Sequence, residues 1–128
     1  MNLVSIRIIT EDVKGLVSFY EQLTEIKAIQ YTPDFAELQT NSATLAIGSI
    51  RTLQFFGGDE VAKASHNRTA IIEFRVQDVD DEYKRLSDFV QTYLVQKPTI
   101  MPWGNKSLLL RDPDGNLVNL FAPVSDES

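Results

Sequence analysis

The chain has 128 residues, 43% of them apolar, with a formal net charge of −6 and no cysteine. One compact domain of this size buries most of its apolar surface, and without cysteine there are no disulfides, thiolate metal sites or cysteine nucleophiles. The acidic balance weighs against nucleic acid, whose phosphates need clustered Lys and Arg, and mildly favours a cationic ligand.

The first strand is expected where Val4, Ile6 and Ile8 alternate with Leu3, Ser5 and Arg7, the period of a half-buried sheet. Asp12 then stands as a helix N-cap, and Val13, Leu16, Val17, Tyr20 and Leu23 recur on one helical face. Three strand regions follow, at 28–32, at 35–39 with 44–47, and at 52–56, split by Pro33-Asp34 and Asn41-Ser42. After Gly57 comes a linker over 58–68, holding the single histidine, His66, which reads as a solvated loop residue.

The grammar then repeats. Ile72, Phe74 and Val76 alternate with Ile71, Glu73 and Arg75, and Asp78 caps a helix whose first turn is Asp80-Asp81-Glu82. Val79, Tyr83, Leu86 and Phe89 or Val90 form its apolar face, and strands are expected at 93–96, 106–111 and 116–121. Asp112-Pro113-Asp114-Gly115 joins the last two, with Pro presetting one corner and Gly accepting a left-handed exit. Residues 5–13 overlay 71–79, and 53–56 overlay 118–121 at nearly the same offset, about 66 residues. The expected fold is α+β, two tandem β-α-β-β-β modules at about 3–57 and 69–123 within a single domain over 1–128.

Three stretches carry a resemblance: Asp12-Val13 with Phe19-Tyr20, Phe74-Arg75-Val76-Gln77-Asp78-Val79-Asp80, and Pro102-Trp103-Gly104 leading into Arg111-Asp112-Pro113-Asp114-Gly115-Asn116. In this order they resemble the vicinal oxygen chelate superfamily, which includes glyoxalase I, extradiol dioxygenases and the bleomycin resistance proteins. The resemblance implies that the modules form an open, curved barrel around a ligand cavity. It also implies metal ligands on the first and last strands of each module, usually His, Glu or Gln. The matching positions here are Ser5, Gln54, Ile71 and Asn119. They bring no charge and no imidazole, and only Gln54 is a residue type the superfamily uses, so no metal or other cofactor is expected.

Strand alternation places Ser5, Arg7 and Ile9, then Ile71, Glu73 and Arg75, on the cavity face, with Thr52, Gln54 and Phe56 and with Leu117, Asn119 and Phe121. Arg7 and Glu73 are equivalent in the two modules, and form either an ion pair or a grip on a polar ligand. Trp103 is either a stacking wall for a planar ligand or a hydrophobic plug for its loop. Tyr31 and Phe35, which flank the Pro33-Asp34 turn, are assigned to edge or interface packing rather than to ligand contact. The candidate ligand-binding residues are therefore Ser5, Arg7, Gln54, Phe56, Glu73, Trp103 and Asn119, and no catalytic residue is nominated.

The expected function is metal-free binding or sequestration of a small organic molecule, cationic or planar, similar to the bleomycin resistance proteins. A divergent glyoxalase-like lyase, isomerase or dioxygenase is the alternative, and a non-catalytic interaction protein the third. A homodimer is expected, since a two-module chain can pair its modules internally or exchange them with a partner. No apolar run approaches the ~20 residues that span a bilayer, and residues 1–7 lack the pattern of a secretory signal, so the cytoplasm is expected, with no nucleic acid or membrane partner.

Overall fold

A computed structural model describes residues 1–124. The chain divides into two compact units, Met1–His66 and a second that begins at Asn67, inside the expected linker. The first contains β1 (Ser5–Thr10), α1 (Val13–Thr24), β2 (Ile29–Thr32), β3 (Phe35–Gln39), β4 (Thr44–Ser49) and a 3-10 helix, Ile50–Phe56. The second contains β5 (Ile71–Arg75), α2 (Val79–Tyr93), β6 (Leu94–Ile100), β7 (Asn105–Arg111) and β8 (Leu117–Pro123). The β-α-β-β-β order is present in both, and the α+β class follows from it.

Each unit builds one four-stranded sheet with the same connectivity, β1-β4-β3-β2 in the first and β5-β8-β7-β6 in the second. The first strand of each unit runs parallel to the last, and the remaining pairs are antiparallel. A helix covers one face of each sheet. In the first unit α1 packs on β3 and β4, where Leu16, Tyr20 and Leu23 meet a layer containing Ala36, Leu38, Leu45 and Ile47. In the second, α2 lies on β6, β7 and β8, and Val79, Leu86 and Val90 cover the side that holds Leu108, Leu110, Val118 and Leu120. Each buried leucine removes enough apolar surface to stabilise its unit by about 2 kcal/mol.

The helix starts are built as their sequences demand. The Asp12 carboxylate accepts from Gly15 N at 3.0 Å, and Asp78 accepts from Asp81 N at 2.9 Å. Each satisfies a backbone donor that the first helical turn leaves over. Gly15 is needed for this: a Cβ there would stand 2.3 Å from Asp12 Oδ2. α1 ends at Glu25, in the left-handed region at φ 62°, with its N–H bonded to Glu21 O. α2 is interrupted by Ser87, whose φ 47° and ψ −119° break the helical ladder.

One expected strand is absent. Residues 52–56 form the 3-10 helix, and β4 takes the place beside β1. Local hydroxyl chemistry decides this: Ser49 Oγ accepts from Arg51 N at 3.1 Å, and Thr52 Oγ1 donates to Ser49 O at 2.7 Å. Gly57 closes the turn at φ 108°. The overlay of 53–56 on 118–121 is thereby overturned. In the sheets Arg7 sits opposite Ala46 and Glu73 opposite Asn119, so the counterpart of Asn119 in the first unit is Ala46 rather than Gln54.

Candidate functional site

In the second unit the site begins with the turn between β7 and β8. Asp112 and Asn116 are both 3% exposed. Asp112 Oδ1 accepts from the backbone N–H groups of Asp114 and Asn116, each at 2.9 Å, and its Oδ2 accepts from Asn116 Nδ2 at 2.8 Å. Arg111 donates to Gly115 O at 2.9 Å, and Gly115 adopts φ 88°, which a side chain would resist. Asn67 joins this cluster by donating to Asn116 Oδ1 at 3.1 Å, and its own Oδ1 accepts from Thr69 N and Ala70 N. Asn67 is thus a structural tie between the start of the second unit and its β7–β8 turn. The turn fixes the register of β8 and so the place of Asn119.

Asn119 lies on the sheet face opposite α2, as alternation requires, since Val118 and Leu120 are buried under the helix. Its Nδ2 donates to Glu73 Oε2 at 3.0 Å. Its Oδ1 is buried and has no hydrogen-bond partner. A buried acceptor left this way costs about 1–3 kcal/mol, so the position favours any molecule that brings a donor. Ile71 and Leu117 face each other one step along the strands, and Arg75 faces Phe121 on the other side. The acid–amide pair therefore has an apolar border at Ile71 and Leu117, and a mixed one at Arg75 and Phe121.

In the first unit the corresponding face carries Arg7. Its guanidinium carbon lies over the Phe35 ring at 4.7 Å from the centroid and over the Phe56 ring at 5.0 Å. Tyr31 stacks on Phe35, with centroids 5.9 Å apart. Sequence reasoning placed Phe35 at a packing edge and missed it as a neighbour of Arg7. The register Phe35↔Gly48 puts the ring one strand away from a residue without a side chain, over which the arginine stem can pass. A Cβ at Gly48 would meet Arg7 Cδ at 3.4 Å and Thr52 Oγ1 at 3.1 Å. Phe56 reaches the arginine from the 3-10 helix, a route different from the strand expected for it.

The carboxylates of this unit near the aromatic group are already engaged. Asp34 accepts from Ser49 Oγ at 2.8 Å and from Arg51 Nε at 2.9 Å, and these donors, Arg51 first, hold its carboxyl below the ordinary 3.8. Glu37 accepts from the Tyr31 hydroxyl at 3.1 Å and from Gln39 at 3.0 Å. The bond to Glu37 favours the neutral phenol and raises the Tyr31 pKa above 10.0. Arg7 and Glu73 thus each find their contacts inside their own unit, Arg7 in two rings and Glu73 in Asn119.

The other nominated residues fall as follows. Ser5 is exposed at the start of β1, and Gln54 is exposed on the 3-10 helix, outside the sheet. Trp103 stands in the turn closed by Gly104 N bonding to Met101 O, and it is 72% exposed, so it plugs no core. His66 Nδ1 lies 2.7 Å from Ala64 O in its loop. For a metal, the first unit offers Ser5 with Ala46 at the positions the superfamily uses, and the second offers Ile71 with Asn119. Two of these have no donor and two are neutral, a set that does not suit a divalent ion. Among the described residues no group of three or more His, Asp or Glu side chains is placed to hold one.

A model of the Glyoxalase/Bleomycin resistance protein/Dioxygenase superfamily matches residues 2–120. Among solved structures, one described as a conserved domain protein is 27% identical, with a TM-score of 0.76 over 96% of this chain and 99% of that one. A glyoxalase/bleomycin resistance protein/dioxygenase family enzyme from Burkholderia phytofirmans PsJN gives a TM-score of 0.82 at 17% identity, covering 96% of this chain and 99% of its own. A glyoxalase-related enzyme from Fulvimarina pelagi gives 0.79 at 17% identity, covering 95% and 88%. At 17% identity the likeness is one of fold. No curated protein matches the chain. Among the described residues no helix is long and apolar enough to cross a membrane.

Proposed function

Because the chain belongs to the glyoxalase/bleomycin resistance/dioxygenase superfamily, we propose that it is a member that binds a small organic molecule without a metal ion. The observation that carries this reading is Asn119. At a position where the superfamily places a metal-binding carboxylate, the chain has an amide that donates to Glu73 and keeps a buried acceptor unmet. That acceptor and the Glu73 carboxylate together call for N–H donors, which a cationic or amide-bearing ligand supplies. The neighbouring Ile71, Leu117 and Phe121 give such a ligand an apolar surface to lie on.

The test uses protein purified without chelator. Elemental analysis is expected to find no stoichiometric divalent metal, and benzamidine is expected to raise the melting temperature of the native chain more than that of an Asn119→Leu variant. A stoichiometric metal accompanied by turnover of a glyoxalase or dioxygenase substrate would replace this reading with the divergent metalloenzyme. Equal stabilisation of both proteins by benzamidine would remove Asn119 from the site. The proposal also holds the chain to be a homodimer, which sedimentation equilibrium checks: a monomer mass at tens of micromolar ends that part of it.

A further inference from the structure

We propose that the first unit carries a separate site for the carboxylate of an aromatic acid, with the Arg7 guanidinium as its anchor. The site adds to the donor-seeking site of the second unit and differs from it in charge preference. The two π-faces near Arg7 belong to Phe35 and Phe56. Contacts of this kind are worth roughly 0.5–1 kcal/mol each at exposed positions, about what it costs to fix a long arginine side chain. The rings therefore hold the guanidinium in place with little net gain in stability. What results is a pre-oriented cation.

The two rings contact the guanidinium through their π-faces and accept no conventional hydrogen bond, which leaves its five N–H groups to other acceptors. Among the described residues of its own unit Arg7 has no hydrogen-bond or ion-pair partner, in contrast to Arg51, which is held by Asp34 within the same unit. The carboxylates that could have taken it are committed elsewhere, Asp34 to Ser49 and Arg51, and Glu37 to Tyr31 and Gln39. A planar, forked donor matches a carboxylate through two parallel bonds. Phe56 and Tyr31 are 56% and 54% exposed, so ring surface remains beside the arginine for the apolar body of the ligand. An aryl carboxylate satisfies both features, whereas inorganic phosphate uses only the fork.

The experiment titrates the full chain, at physiological salt, with benzoate, benzamide, benzamidine and inorganic phosphate, and follows the Arg7 Nε–H and Gly48 N–H signals by NMR. Benzoate is expected to shift both signals saturably. Benzamide and benzamidine are expected to leave them in place, and phosphate to bind more weakly than benzoate. Arg7→Lys keeps the charge but loses the fork, and is expected to weaken benzoate roughly ten- to hundredfold. Phe35→Leu is expected to weaken it less, with the fold of both variants checked by amide spectra. Benzoate affinity unchanged in Arg7→Lys, or an equal response to benzamide, overturns the proposal. A phosphate response equal to that of benzoate overturns its aromatic part. The outcome is distinguishable from that of the Asn119 experiment, since this titration follows first-unit signals with benzoate, whereas that one compares the benzamidine stabilisation of the native chain with that of the Asn119→Leu variant.

Discussion

The two units share a strand order and a helix position, yet they arm the same sheet face with opposite chemistry. At equivalent places the first has Arg7 opposite Ala46, and the second has Glu73 opposite Asn119. The difference shows how a repeated fold separates architecture from chemistry. Alternation and capping build the scaffold twice. Side chains on the face away from the helix are not needed for that, and so are free to diverge.

The comparison can be broken most forcefully at the turn that positions β8. Asp112→Ala strands three donors that the carboxylate now receives, and is expected to destabilise the protein by about 3 kcal/mol, read by urea unfolding. The first unit has no equivalent buried carboxylate among the described residues. Gly115→Ala is expected to cost about 1–2 kcal/mol in the same assay, because the φ of 88° remains imposed. Ser87→Gly acts in the other direction. It relieves a left-handed φ in α2, which α1 lacks in its interior, and should stabilise by about 1 kcal/mol.

A smaller effect separates the units by pH. Asp34 has its folded pKa lowered by Arg51 and Ser49. Its contribution is therefore fully present above the ordinary 3.8 and is lost as pH falls through the depressed folded value. Asp34→Asn should flatten the acid limb of the melting-temperature profile, and an unchanged limb would show that the pair carries no linkage. Tyr31 has the opposite sign. Its raised pKa gives a contribution present below pH 10.0 and lost as pH rises through the folded value. Glu37→Gln should lower the alkaline titration midpoint of Tyr31, followed by phenolate absorbance.

Much of the scaffold was legible in the letters. Asp12 and Asp78 announce helix starts because a short acceptor before an apolar stripe has one main structural use, and both caps form. Asp112-Pro113-Asp114-Gly115 likewise specifies its turn. The 52–56 segment misled because an apolar run of that length fits a strand or a helical turn equally. The deciding signals were Ser49 and Thr52, whose hydroxyls bond their own backbone, and Gly57 at the close. For the candidate site, alternation placed Arg7, Glu73 and Asn119 on one type of face. It could not show that Phe35 lies by Arg7, because that contact crosses strands through a register set by β4.

Gly48 carries a consequence of its own. The stem of the first unit's arginine runs past a place on the neighbouring strand where a side-chain carbon is missing. One added methyl at residue 48 would press on Thr52 Oγ1 at 3.1 Å and touch the arginine stem at 3.4 Å, while leaving net charge and aromatic content untouched. The room beside the arginine stem is therefore set at a position that no search for charged or aromatic residues would visit.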